Sequence, residues 1–453
     1  MKTVRTLILA LCVFPGCGGD GDAPGGTAAR SLNQSLEDGQ LIVLTRNAPT
    51  TFYEGRFGEE GVEYDMAVAF ARTIGATPEF VMKESVADIL DALERGEGHV
   101  AAAGLTLTQD RAKNMLVGPA YQSVRQQVVS RRGKKRPRRV EDLIGRTVGV
   151  VAKSSYVSTL GALRTDYPEL SWTEMDSVGT EQLLHRVWDE SLDLTVADDN
   201  IVAINRRFFP ELIVAFHLTD PESLVWYFHP SQKNLRDAAG DWYAAFSDSG
   251  HMEQLNERYY GYLGQYDYVD TRTFTNRIKK RLPRYRALFE AAADEYGIRW
   301  TIPAAVAYQE SHWNPLAVSP TGVRGMMMLS QPTAREMGVE NRLDPEQSVH
   351  GGVKYLAQLY TRLPASIELP DRYWIALAAY NVGYGHVLDA RTLANRLGRS
   401  PDKWRDLAEV LPLLAQREYF STLKHGYARG YEPVRYVNRI RGYEDILIRR
   451  TSP

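Results

Sequence analysis

Apolar periodicity changes character once along this chain, and that change limits what it can fold into. From about Leu36 to Leu263, short strand-type apolar runs alternate with amphipathic helical runs. Leu41 to Thr45, Val100 to Leu105, Thr147 to Val151 and Leu192 to Val196 read as strands. Glu63 to Ile74, Val86 to Arg95, Thr180 to Trp188 and Asn200 to Phe208 read as helices. Such alternation builds α/β units, and it predicts largely parallel sheets. Beyond about residue 266, apolar positions recur only at helical spacing. Tyr285, Leu288, Phe289 and Ala292 share one face, as do Val349, Val353, Leu356, Tyr360 and Leu363. Asp371 to Tyr380 is apolar almost all round, as a central buried helix must be. Two architectures in series are expected, α/β over 36–265 and all-α over 266–453.

Lys2 and Arg5 precede an apolar run, Thr6 to Phe14, so that 1–16 reads as a secretory signal too short to stay in a bilayer. Residues 17–35 are rich in Gly, Asp, Ala and Pro and form a flexible tether. Phe14-Pro15-Gly16-Cys17 resembles a lipoprotein cleavage box, which implies an acyl chain on Cys17. Gly18, where Asp would mark inner-membrane retention, points to outer-membrane lipid and a periplasmic protein. Cys12 leaves with the signal, so no disulfide framework and no cysteine-based metal site is expected. A net charge of −2 argues against nucleic acid as a partner. The basic run Arg131 to Arg139 reads as a solvated loop beside a hinge, with anionic glycan or lipid headgroups as the alternative.

Chemistry concentrates between Ile302 and Leu329. Thr301 is a candidate helix cap and Pro303 sits in the first turn, where a missing N–H costs nothing. Ile302, Val306, Gln309, Glu310 and Trp313 then fall on one inward helical face. A carboxyl on that face is partly desolvated, which raises its pKa and keeps it protonated near neutrality, the state a general acid needs. The alternative is a solvated Glu310 or one paired with Arg324.

Four ordered blocks carry a resemblance. Glu310-Ser311-His312-Trp313-Asn314-Pro315, then Ser319-Pro320-Thr321-Gly322 with Gly325-Met326-Met327-Met328-Leu329, then Ala378-Ala379-Tyr380-Asn381-Val382-Gly383, and finally Pro433-Val434-Arg435-Tyr436-Val437 resemble the lysozyme-like lytic transglycosylases. The resemblance implies Glu310 as catalytic acid and base, Ser319 near the cleaved linkage, and Tyr436 orienting Glu310. It implies Tyr380 and Asn381 at a sugar subsite, and Met326 to Leu329, with Met326 and Met328 foremost, as a wall for an N-acetyl group. Met328 stands where many relatives carry Gln. Peptidoglycan strands are the implied substrate, with no metal and no cofactor. A goose-lysozyme-like hydrolase, or a wall-binding receptor without activity, stays open on the same residues.

The α/β part carries its own resemblance. Gly61-Val62-Glu63-Tyr64-Asp65-Met66-Ala67, Leu105-Thr106-Leu107-Thr108-Gln109-Asp110-Arg111, Glu141 to Val150 and Ala197-Asp198 are similar to the family 3 periplasmic solute-binding proteins, two α/β lobes that close on an amino acid. By that likeness Arg111 grips a carboxylate and Asp198 an ammonium, with Thr106 and Ser154 lining the cleft. Lys153 adds a charge where the family has a small residue, so a peptide-bearing wall fragment rivals a free amino acid.

Overall fold

The structure, a computed structural model, describes residues 32–55, 58–263, 268–320 and 322–451; the expected signal, most of the tether, Cys17 and Thr321 lie outside them. The α/β part is two lobes, each with its own five-stranded sheet. The first runs in the order Thr77–Met82, Gln40–Thr45, Val100–Thr106, Glu222–Phe228 and Leu116–Val124. The second runs Leu212–His217, Gln126–Arg131, Leu194–Asp198, Val148–Val151 and Thr173–Met175. The chain passes between lobes at Arg125 and returns through residues 218–221.

The sheets are mixed, which corrects the expectation of largely parallel pairing. Gln40–Thr45 pairs in parallel with both neighbours, while Glu222–Phe228 is antiparallel to both of its own. In the second lobe Gln126–Arg131 is likewise antiparallel to both neighbours. The antiparallel strands are the ones that carry the chain across and back. Leu116–Val124 contains Gly118 and Pro119, which look like breakers in sequence. Pro is tolerated there because the strand is a sheet edge, and the pairing register slips beside it. The basic run also moves: it starts at the far end of Gln126–Arg131, away from the crossover at Arg125. Arg131 and Lys134 pair there with Glu190, and Arg136 donates to the Ala215 carbonyl at 2.9 Å.

The helices Lys233–Asp248 and His251–Tyr260 fold back on the first lobe, burying Leu235, Ala239, Trp242 and Met252 in its core. The remainder is helical. Tyr431–Thr451, the 21-residue last helix, packs against both Thr301–Ser311 and Asp371–Val382. Among the described residues, no helix is long and apolar enough to cross a membrane.

The last helix is also where the two parts join. Arg441 is 1% exposed. It donates to Glu257 Oε1 at 2.5 Å and to the Glu257 and Arg258 carbonyls at 3.1 and 2.8 Å. Its guanidinium lies over the rings of Trp374 and Tyr262, at 3.9 and 4.1 Å. One turn on, Asp445 is held by Arg207 of the second lobe and accepts from the Tyr262 hydroxyl at 2.6 Å. His251–Tyr260 grips the first lobe in turn, with Arg258 3.1 Å from Asp65. A single apolar cluster therefore runs from Phe208 and Phe209 of the second lobe into the helical core. Removing one member of a buried ion pair leaves its partner uncompensated, so Arg441→Ala is expected to cost on the order of 3–5 kcal/mol. A urea titration followed by tryptophan fluorescence measures the loss.

Candidate functional site

The Thr301–Ser311 helix is buried all round, not on one face: every residue from Thr301 to Tyr308 is core, and only Gln309 and Glu310 come partly to the surface. Thr301 is not the cap. Trp300 holds that position without a side-chain bond, and the Thr301 hydroxyl donates to Glu444 at 3.2 Å. Trp313 does not extend the helix face either. His312 and Trp313 are both left-handed, with φ 55° and 58°, so the chain turns back and the Trp313 indole donates to the Ala304 carbonyl at 2.8 Å.

That sharp stop leaves Glu310 at the last turn of a rigid helix. Tyr436, on the last helix, donates its hydroxyl to Glu310 Oε1 at 2.6 Å. Burial pushes the Glu310 carboxyl up to about 7, against a smaller downward pull from the Tyr436 hydrogen bond, and no neighbouring charge enters. Arg324 is exposed and forms no ion pair with it. The other nearby carboxylates of the helical part have structural work. Asp344 accepts from the Gln347 backbone N–H at 2.8 Å, capping Pro345–Arg362, and Asp371 accepts from that of Trp404 at 2.8 Å.

The loop after the helix is held by its own backbone. Val318 and Arg324 form a bridge, as do Arg324 and Leu329, and Ser319 closes a turn by accepting from the Gly322 N–H at 3.0 Å. Gly325 has φ 87°, and a Cβ there would lie 1.7 Å from the Arg342 carbonyl, so only glycine fits. Three carbonyl and amide bonds tie the methionine segment inward: Ser311 to Met326, Ser348 to Met327, and the Tyr380 hydroxyl to the Met327 carbonyl at 2.9 Å. Met326, Met327 and Leu329 are consequently core, which corrects the expected wall; Met328 alone of the four keeps partial exposure. Tyr380 is half-buried and near enough that the Glu310 charge bears on its hydroxyl, while Asn381 is exposed.

In the α/β part, Thr106, Arg111, Ser154 and Asp198 line one cavity between the lobes. Arg111 pairs with neither Asp110 nor Glu84. Its guanidinium donates to the Thr106 carbonyl at 2.9 Å and, across the cleft, to that of Lys153 at 3.4 Å. Ser155 donates to Thr106 Oγ1 across the same gap, Lys153 lies 3.5 Å from Asp91, and Arg46 lies 3.8 Å from Glu181. The lobes are thus drawn together, and the cavity is about 40 Å³, room for a water or two. Burial pushes Asp198 up to about 7. Sequence reasoning missed Arg46, Tyr156 and Glu63. Arg46 follows the carboxyl end of the first strand, where ligand crevices of α/β folds form, and that position was the available signal. Glu63 accepts from the Gly104 N–H at 2.7 Å, and burial raises it to about 7.

Two family models match this chain: "Bacterial extracellular solute-binding proteins, family 3" over residues 41–262 and "Transglycosylase SLT domain" over 287–402. A membrane-bound lytic murein transglycosylase F of Maricaulis maris is 47% identical over 98% of this chain and 98% of its own length. The chain belongs to the membrane-bound lytic murein transglycosylase F family. A second member, from Saccharophagus degradans, is 44% identical over 92% of this chain and 83% of its own. A solved ancestral arginine-binding protein bound to arginine covers 49% of this chain and 98% of that one, at 20% identity and a TM-score of 0.45.

The Tyr436 hydroxyl favours ionised Glu310, so its removal has a defined sign. In Tyr436→Phe the Glu310 carboxyl is expected to titrate at higher pH than in the parent, read by carbon NMR of labelled glutamate.

Proposed function

We propose that this chain cleaves the β-1,4 bond between N-acetylmuramic acid and N-acetylglucosamine of peptidoglycan without water, leaving a 1,6-anhydromuramic acid end. The observation that carries the reading is one half-buried carboxyl, raised by burial alone and bonded to a tyrosine hydroxyl at 2.6 Å. Most glycosidases that use water pair two carboxylates. Here Glu310 protonates the bridging oxygen, and the substrate's own N-acetyl oxygen stabilises the oxocarbenium. The Glu310 carboxylate then takes the proton from the muramyl O6 as the ring closes. A pKa near 7 suits a group that must give and reclaim a proton in one turnover. Tyr436 orients the carboxyl, Ser319, Tyr380 and Asn381 hold sugar, and Met328 contacts the N-acetyl group.

The two-lobed unit acts as a non-catalytic ligand sensor for an amino acid or muropeptide, with Arg111 on carboxylate and Asp198 on ammonium. The chain works in the periplasm at the outer membrane, with Cys17 acylated.

Glu310→Gln is expected to lower the rate of wall digestion by about 10²–10⁴-fold. Parent enzyme releases muropeptides one water lighter than the reducing species, by mass spectrometry; reducing ends would indicate the goose-lysozyme-like hydrolase instead. Because the donating form is lost as Glu310 ionises, the rate falls as pH rises through about 7. With Arg111→Ala, wall fragments that change the parent's turnover should leave it unchanged; an identical response in both proteins would remove the sensor reading.

A further inference from the structure

A cavity of about 290 Å³ lies where the two lobes meet the last helix, apart from both the inter-lobe cleft and Glu310. Tyr53 and Glu54 come from the first lobe, Ile204 and Phe208 from the second, and Ile448 and Arg449 from the last helix. That volume sits at the small end for ligand pockets, which begin at roughly 300 Å³, and it suits a compact molecule rather than a glycan.

Most of the charge around it is already matched. Glu60 accepts from the Tyr53 hydroxyl at 3.0 Å and lies 3.7 Å from Arg258. Asp445 is held by Arg207 and by the Tyr262 hydroxyl. Arg299 also lines the cavity and has partners of its own, while Glu54 and Arg449, of opposite sign, stand on different bodies. Neither Glu54 nor Arg449 has an ion-pair partner among the described residues. The Arg449 guanidinium lies over the Phe208 and Phe209 rings, at 4.4 and 4.8 Å, an arrangement that fixes a planar cation without neutralising it. Pro49, Ile204, Phe208 and Ile448 supply apolar lining for the rest of a ligand.

We propose that this junction cavity binds a small zwitterion with an apolar body, its carboxylate on Arg449 and its ammonium on Glu54. A guanidinium takes a carboxylate through paired N–H donors, and a carboxylate takes an ammonium as a point charge. Walls from both lobes and the last helix exist together only when these bodies are docked, so the ligand stabilises the docked arrangement by mass action. The site needs no step at Glu310 and no occupancy of the inter-lobe cleft.

The test is calorimetric titration of the full chain carrying Arg111→Ala, which disables the cleft. Three probes share one apolar body: L-phenylalanine, 3-phenylpropanoate and phenethylamine. Saturable binding of phenylalanine is expected, with each half-ligand at least about 10-fold weaker, since each forfeits one charge-assisted contact. Arg449→Gln and Glu54→Gln should each weaken phenylalanine by a similar factor. Both side chains reach the surface, so neither change threatens folding, and an unaltered melting temperature checks that. No binding of phenylalanine in the Arg111→Ala chain overturns the proposal. So does phenylpropanoate or phenethylamine binding as tightly as phenylalanine, or unchanged affinity in Arg449→Gln.

Discussion

A tyrosine hydroxyl 2.6 Å from a half-buried carboxyl joins the two helices on which the helical part is built. Glu310 ends one helix and Tyr436 begins the other, so the bond exists only if the packing of Thr301–Ser311 against Tyr431–Thr451 is correct to a fraction of an ångström. The surrounding architecture serves that requirement. All-round burial of Thr301 to Tyr308 removes any freedom to rotate, and the left-handed pair His312–Trp313 stops the helix at the turn where the carboxyl is wanted. The methionine loop is fixed from three sides by Ser311, Ser348 and Tyr380. Desolvation there raises the proton affinity of the carboxyl, which is what the proposed proton transfers need.

The same helix has a second end. From Tyr436 to Arg449 is under four turns of unbroken α-helix, about 20 Å at 1.5 Å per residue. Along that length Arg441 locks onto the helix that grips the first lobe, and Asp445 locks onto Arg207 of the second. A stiff element with the hydrogen-bond partner of Glu310 at one end and both lobes at the other gives a physical path between them.

What could be read from sequence followed the strength of each local pattern. Helices with a clean apolar stripe, such as Thr180–Trp188, were legible to the residue, because burial on one face needs that stripe. The four strands that cross between lobes, Leu116–Val124, Gln126–Arg131, Leu212–His217 and Glu222–Phe228, were not read. Their pairing is long-range, and Gly118-Pro119 masks an edge strand that local propensity rejects. The raised Glu310 pKa was expected from one inward helical face, whereas it arises from all-round burial of that helix and its packing against the last one. Met326 was misplaced because a loop's inward turn is set by distant hydroxyls, Ser348 and Tyr380, that no spacing rule connects to it. Arg46 and Glu63 stayed hidden for a similar reason: each gains meaning only when sheet closure brings it against the other lobe or Gly104.

The contacts Arg111 makes across the cleft bear on how tightly anything can bind there. A carboxylate that takes the guanidinium shares it with the Thr106 and Lys153 carbonyls, and an occupant larger than water must part Ser155 from Thr106 and Lys153 from Asp91. Intrinsic affinity is therefore discounted by the fraction of molecules whose lobes stand apart. Solute at trace concentration therefore leaves the lobes together, and only a higher concentration holds them apart.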